Sequence, residues 1–416
     1  MPSEAQLLDL IKQIDQLQLP EKDEYELLYL QVDCAIEAAL VISMSGNDKA
    51  ISEITSLMQK LAAKADELDE PWSRDSLLGY LAMMTAHQKG VEAAEAQAKA
   101  ISMRGYQAEG LGLIASQRAR AGDLQGFQRL SSLSLRFLKR SLAEDNALPK
   151  DERDWPSWLA WLLAEQWATD AFYSGLLPRE AGLAQATQFA DLFSQMQLEP
   201  GAKAEVLSFL ASVIAGYGDH DSAKAWLGKA QAALVLEQKR VNADEGEEFS
   251  WSYGIDAARM EFLRTHMALG DLPAAEQELA RLESVGMRAG GQAIIGAYLK
   301  AAQNNEQAER YLASSASYIS KTDSLLASLA KGVAPPDFDE KQFLEDFDEY
   351  DAVGFYWDAF YVARDLQLAG DTERLNKLID QLKFPAIKIG AELGRMRGQY
   401  QQGFIPKPAP VLEPVG

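Results

Sequence analysis

The chain has 416 residues and a formal net charge of −22, from 62 acidic and 40 basic side chains. A single hydrophobic core stops growing at about 250–300 residues, so the chain must divide into domains or extend as a repeat array. Nucleic acid is disfavoured as a partner, because its phosphates would be repelled and no cluster of Lys and Arg offsets the negative charge.

Helix-forming patterns begin at the N-terminus and continue along the chain. Ser3 and Gln6 have the spacing of a capping box, and Pro71 stands where a later helix can begin. Between them, apolar residues recur every three or four positions, as in Ile51, Ile54, Leu57, Met58 and Leu61. This spacing is typical of helices and not of strands, so the sequence predicts an all-α fold of roughly 18–20 helices.

Three features concern the cellular compartment. Cys34 is the single cysteine, which excludes a disulfide framework. The first residues, 1–5, lack the basic and apolar regions of a signal peptide. The apolar stretch 159–177 is interrupted by Glu165 and Asp170, so we expect no membrane span there. We therefore expect a cytoplasmic protein.

A Gly-Asp dipeptide recurs between helical stretches. Glycine accepts the left-handed conformation that ends a helix, and aspartate can cap the amides that open the next one. The pattern therefore predicts tight turns between antiparallel helices. The dipeptides are Gly122-Asp123, Gly218-Asp219, Gly270-Asp271 and Gly370-Asp371, with Gln303-Asn304 as a variant.

Other positions keep register with these turns. Seven residues before the glycine position stand mostly small residues: Ala115, Ala211, Leu263, Gly296 and Ala363. The interval from Gly270 to Gln303 is close to a repeat of ~34 residues. At these residues the chain resembles a tetratricopeptide-repeat protein, most strongly over 204–235. The resemblance implies an α-solenoid of antiparallel helix pairs that form a right-handed superhelix.

Breaks in the pattern predict three helical blocks and a tail. A polar connector covers 145–154, and Pro335-Pro336 interrupts a later stretch. The predicted units are therefore the blocks 1–144, 150–330 and 338–402, followed by a Pro-rich tail at 403–416 that we expect to be disordered.

An aromatic segment is one candidate partner-binding surface. Trp155, Trp158 and Trp161 could line a groove for a ligand. Apolar residues fall on all sides of this segment, however, which favours a helix buried between blocks.

An acidic run at 337–351 is the other candidate, with Phe343 and Phe347 forming an apolar stripe along it. A solvated amphipathic helix is the favoured interpretation. The alternatives are a docking face for a basic partner and a metal site, although the spacing and glycine of a calcium loop are missing.

Catalytic and cofactor motifs are not found in the sequence, so we expect no catalytic residue, cofactor or metal. The glycines at 110–112 match a dinucleotide fingerprint, but both flanks are helical, so they are expected to pack helices. The resulting hypothesis is a non-enzymatic interaction module or scaffold that binds a protein or peptide, with basic partners favoured by the acidic charge. The alternative is an α/α-toroid enzyme that acts on carbohydrate through a pair of carboxylates.

Overall fold

A computed structural model of the chain describes residues 2–19, 23–148, 158–168, 179–243, 251–329, 331 and 352–401. Over these ranges the backbone forms eighteen helices and no strand, which confirms the all-α class. The helices are α1 (Glu4–Asp15), α2 (Glu24–Ser45), α3 (Asp48–Glu67), α4 (Pro71–Lys89), α5 (Val91–Lys99), α6 (Arg104–Arg120), α7 (Leu124–Asp145), α8 (Trp158–Trp167), α9 (Arg179–Gln195), α10 (Pro200–Gly216), α11 (His220–Ala243), α12 (Trp251–Ala268), α13 (Leu272–Arg281), α14 (Val285–Ala301), α15 (Asn305–Leu329), α16 (Ala352–Leu368), α17 (Thr372–Gln381) and α18 (Pro385–Tyr400).

Local capping determines where several helices begin. The Ser3 amide donates to Gln6 Oε1 at 2.8 Å while the Gln6 amide donates to Ser3 Oγ at 3.3 Å, so the predicted capping box is present. Asp23 accepts the amides of Tyr25 and Glu26 and thereby opens α2. Pro71 is the first residue of α4, as the sequence predicts.

The Gly-Asp turns share one backbone geometry. The glycine position has a positive φ in each of them: Gly122 (76°), Gly218 (88°), Gly270 (78°), Gly370 (70°) and the variant Gln303 (65°). In the same turns the next amide donates to a carbonyl five residues back, for example from Asp219 to Ile214 at 3.3 Å. This pair of features is the left-handed helix ending expected at these glycines.

The aspartates of these turns cap the following helices in three cases. Asp123, Asp219 and Asp271 accept the amides of Gly126, Ser222 and Ala274 at 2.8, 3.1 and 3.1 Å. Asp371 departs from the pattern, because its side chain accepts no capping amide and instead pairs with Arg374 Nε at 2.9 Å.

The described residues group into two compact units. Residues 1–77 and 284–402 form unit 1, and residues 78–283 form unit 2. The blocks predicted from the sequence, 1–144, 150–330 and 338–402, divide the chain differently, at linkers. Most residues of those linkers lie outside the described ranges. That division stays a prediction.

Unit 2 is built around helices that each contact several neighbours. Helix α6 packs against α5, α7 and α8, and α10 packs against α8, α9, α11 and α12. A Cβ on Gly110 would lie 3.2 Å from the Cα of Gly79, and one on Gly112 would meet the Leu163 side chain. The fingerprint-like glycines therefore allow close helix packing, as the sequence analysis expected.

Unit 1 joins the two terminal parts of the chain. Helix α16 packs closely against α18, and α2 contacts both of them. The Trp357 indole on α16 donates to Asp33 Oδ2 on α2 at 2.9 Å. The first and last parts of the described chain consequently share one core, which neighbour-to-neighbour repeat patterns do not predict.

Helix α2 is, among the described helices, the one long and apolar enough to cross a membrane by length and composition. Most of its apolar window is buried inside the protein, and a buried core helix passes the same test. Its buried positions include Glu37, which is 8% exposed, and Cys34, which is fully buried. Burial in unit 1 accounts for its apolar composition.

Candidate functional site

The sequence-predicted binding residues fall unevenly on the structure. Trp155, Phe343 and Phe347 lie outside the described residues. Trp158 is the first residue of α8, but its side chain is also outside the description. Of the predicted set only Trp161 has a described environment, so the two candidate segments stay predictions.

Helix α8 contributes to the interior of unit 2. Trp167 is fully buried, its indole donates to the Gly112 carbonyl at 3.2 Å, and its ring packs against Phe127 and Phe189. Trp161 is partly buried and meets Phe209 of α10 edge-on, with ring centroids 6.4 Å apart. The Trp161 Nε1 atom is buried and makes no hydrogen bond to the described residues. The described rings of α8 are thus largely core.

Three carboxylates, on α8, α10 and α12, lie near one another. Glu165 lies one turn beyond Trp161, and Glu205 lies one turn before Phe209 on α10. Burial, together with the nearby carboxylates of Glu261 and Glu165, raises the pKa of Glu205 to about 8. Glu205 is therefore protonated at neutral pH and can donate a proton. Glu261 pairs with Arg264 at 3.1 Å.

A different feature appears on the surface of unit 1. Among the described residues, the exposed aromatic side chains are Tyr25 (48%), Tyr29 (39%) and Trp72 (46%). Tyr25 and Tyr29 are four residues apart on α2 and therefore share one face. The Tyr29 hydroxyl donates to Glu70 Oε2 at 2.5 Å, and Trp72 follows Glu70 by two residues. We call Tyr25, Tyr29 and Trp72 the aromatic patch.

The local fold places these rings outward. Leu28 and Leu30 are fully buried, so the Tyr25–Tyr29 face of α2 is turned away from the core. Asp69 has a φ of 58°, and the Glu70 amide donates to the Ala65 carbonyl at 2.8 Å. This turn ends α3 and starts α4 directly after Glu70, so Trp72 lies two residues along the chain from the Tyr29–Glu70 hydrogen bond.

Negative charge borders the aromatic patch. Asp23 and Glu24 lie exposed at the start of α2, and Glu67 and Asp69 lie exposed at the α3–α4 turn. Partial burial and the hydrogen bond to Glu70 raise the pKa of Tyr29 to about 12. Tyr29 therefore stays a hydrogen-bond donor across the physiological range and fixes the Glu70 carboxylate beside the ring.

Sequence reasoning did not find this patch. A signal was present in Tyr25 and Tyr29, which stand at helical spacing among Glu24 and Glu26 instead of among apolar residues. The link from α2 to the start of α4 is the Tyr29–Glu70 hydrogen bond, which joins residues 41 positions apart and is encoded by no local pattern.

Metal chemistry and relatives give no further guide. Within the described part of the chain, no group of three or more His, Cys, Asp and Glu is arranged to hold a metal ion. No protein-family model, curated protein or solved structure matches the chain.

Proposed function

We propose that this protein is a non-enzymatic interaction module that binds a polypeptide partner through the aromatic patch. The observation that carries the proposal is the exposure of Tyr25 and Tyr29 on one face of α2 and of Trp72 two residues beyond Glu70, to which Tyr29 is hydrogen-bonded. Tyr and Trp are the residue types that most often dominate the binding energy of protein interfaces. Each ring can bury a large apolar area while its polar atom keeps a hydrogen bond.

The helical architecture supports the same proposal. Helices joined by the shared Gly-Asp turn, each packed against neighbours along the chain, are compatible with a helical repeat. We propose that the pairs are antiparallel and stack as a solenoid similar to tetratricopeptide repeats, a class whose surfaces commonly bind peptides. Fold alone is a weak guide to function, so the patch carries the proposal and the architecture only supports it.

Co-purification with a matched pair of variants tests the proposal. The Y25A/W72A variant removes two exposed rings and leaves the net charge and the Tyr29–Glu70 hydrogen bond unchanged. The control V235A/L236A removes two exposed apolar side chains of α11, which are 48% and 57% exposed.

We expect a partner that is recovered from the native host with the wild type and the control but lost with Y25A/W72A. Equal recovery with all three proteins would remove the patch from the binding site.

A second candidate function rests on the carboxylates near Trp161. Glu205, with its pKa raised to about 8, could act as a general acid beside Glu165 in a carbohydrate-active enzyme. A glycan-hydrolysis screen of the wild type and of E205Q separates the candidates. Turnover that E205Q abolishes would favour the hydrolase, and no turnover of any glycan favours the interaction module.

A further inference from the structure

We infer that the occupant of the aromatic patch is a basic, arginine-bearing peptide segment; the inference rests on the interaction function proposed above. Two independent properties of the patch lead to it. The first is the charge that borders the rings, and the second is the chemistry of the rings themselves.

The charge around the patch is negative, and several of its carboxylates are not paired with a described cation. Arg74 pairs with Asp66 at 3.0 Å and with Asp75 at 2.8 Å. Three exposed carboxylates of the border, Glu24, Glu67 and Asp69, make no ion pair with a cation among the described residues. A polypeptide that carries Lys or Arg would supply the missing cations, and it would be attracted at long range by a chain of net charge −22.

The rings can accept a cation on their faces. The chain uses this interaction elsewhere: Lys229 Nζ lies 3.5 Å from the centre of the Trp226 ring, and the Arg364 guanidinium lies 5.0 Å from the Tyr361 ring. Trp72 and Tyr25 are about half exposed and offer the same faces to solvent. Arginine fits better than lysine, because its planar group stacks on a ring while donating to carboxylates at the edge.

The dimensions favour a short segment. Tyr25 and Tyr29 are separated by roughly 6 Å along α2, at 1.5 Å for each residue. An extended peptide advances about 3.3 Å for each residue, so about two residues reach from one tyrosine to the other. The same carboxylates would repel an anionic membrane or a nucleic acid, which is why a basic peptide is the occupant that the charges select.

Fluorescence anisotropy with labelled hexaarginine, hexalysine and hexaglutamate tests the inference on the full chain. We expect hexaarginine to bind more tightly than hexalysine and hexaglutamate not to bind. The Y25A/W72A variant keeps the net charge but lacks two of the rings. Its affinity for hexaarginine should be lower by about 5-fold or more, because two exposed cation–π contacts are lost. The control V235A/L236A should stay within about twofold of the wild type, because it leaves the rings intact.

A second pair of variants separates the local carboxylates from the overall charge. E24Q/D69N removes two carboxylates of the border, and E180Q/D191N removes two exposed carboxylates of α9. We expect the first pair to weaken hexaarginine binding more than the second. Equal losses would mean attraction to the net charge alone and would overturn the inference. Unchanged circular dichroism melting of each variant establishes that folding is intact.

Failure of this inference is distinguishable from failure of the proposed function. If Y25A/W72A loses its native partner but binds hexaarginine as the wild type does, the basic occupant is wrong and the interaction function stands. If sedimentation shows self-association that Y25A/W72A abolishes, the patch receives a second copy and the basic occupant is again wrong. If neither partner recovery nor hexaarginine binding depends on the rings, both proposals are wrong.

Discussion

Replacement of Gly394 by alanine tests the close backbone contact between α16 and α18 in unit 1. A Cβ at this position would lie 2.8 Å from the carbonyl carbon of Phe360 and 3.0 Å from its Cα, and would be nearer still to its carbonyl oxygen. These are backbone atoms of α16, so no side-chain rotation can relieve the clash and the helices must separate. Gly390 and Gly398 face α16 in the same way, at Tyr356 and Arg364.

The expected cost follows from two opposing effects. Forcing an extra methyl into a packed contact costs about 1–3 kcal/mol. Alanine gains about 0.5–1 kcal/mol over glycine as a helix former, which partly offsets that cost. We therefore expect G394A to lower the free energy of unfolding by about 1–2 kcal/mol, taking the upper part of the clash range because the contact is with backbone.

A glycine elsewhere in the chain supplies a control of opposite sign. Gly228 lies on the exposed side of α11, and a Cβ there would meet no atom within 4 Å. G228A should therefore stabilise by about 0.5–1 kcal/mol through helix propensity alone. Urea unfolding followed by circular dichroism compares both variants with the wild type. A G394A protein as stable as G228A would refute the close α16–α18 approach.

Three further predictions concern stability. Ala211 and Ala223 are both fully buried, and A223D should cost roughly 3 kcal/mol or more in urea unfolding because it buries an unpaired charge; a melt within a degree or two of the wild type would contradict the repeat register. Burial raises the pKa of Glu205 from 4.5 to about 8 in the folded protein, so wild-type stability should fall as the pH rises from about 4.5 to 8. E205Q should therefore gain stability relative to the wild type across that interval, and parallel pH profiles of the two proteins would contradict the burial. Asp271 caps the Ala274 amide, so D271A should cost about 1 kcal/mol by the same unfolding assay, and a neutral result would mean the cap contributes nothing.

Local chemistry was the part of this fold that the sequence could predict. Gly218 and Asp219 encode their turn within a few residues, because the glycine conformation and the capping bond are both short-range. The same reasoning found the capping box at Ser3 and the start of α4 at Pro71. Asp371 shows its limit, since a nearby Arg374 takes the carboxylate that was expected to cap.

Long-range packing was the part that could not be predicted. The hydrogen bond from Trp357 to Asp33 joins residues at opposite ends of the chain, and repeat spacing relates only neighbouring helices. The aromatic patch has the same origin, because the Tyr29–Glu70 hydrogen bond that links α2 to the start of α4 joins residues 41 positions apart. Of the three tryptophans predicted to bind a partner, Trp161 is the one whose surroundings the structure describes, and its ring packs against Phe209.

Site-specific photo-crosslinking tests the central claim, that the aromatic patch binds a polypeptide, most directly. A benzophenone side chain is placed at Tyr25, and in a parallel protein at Leu236 on the exposed face of α11. After irradiation in the native host, we expect the Tyr25 position to give one dominant crosslinked polypeptide, joined through a segment rich in Lys and Arg, and the Leu236 position to give none. Crosslinks of equal pattern at both positions, or none at Tyr25, would contradict the claim.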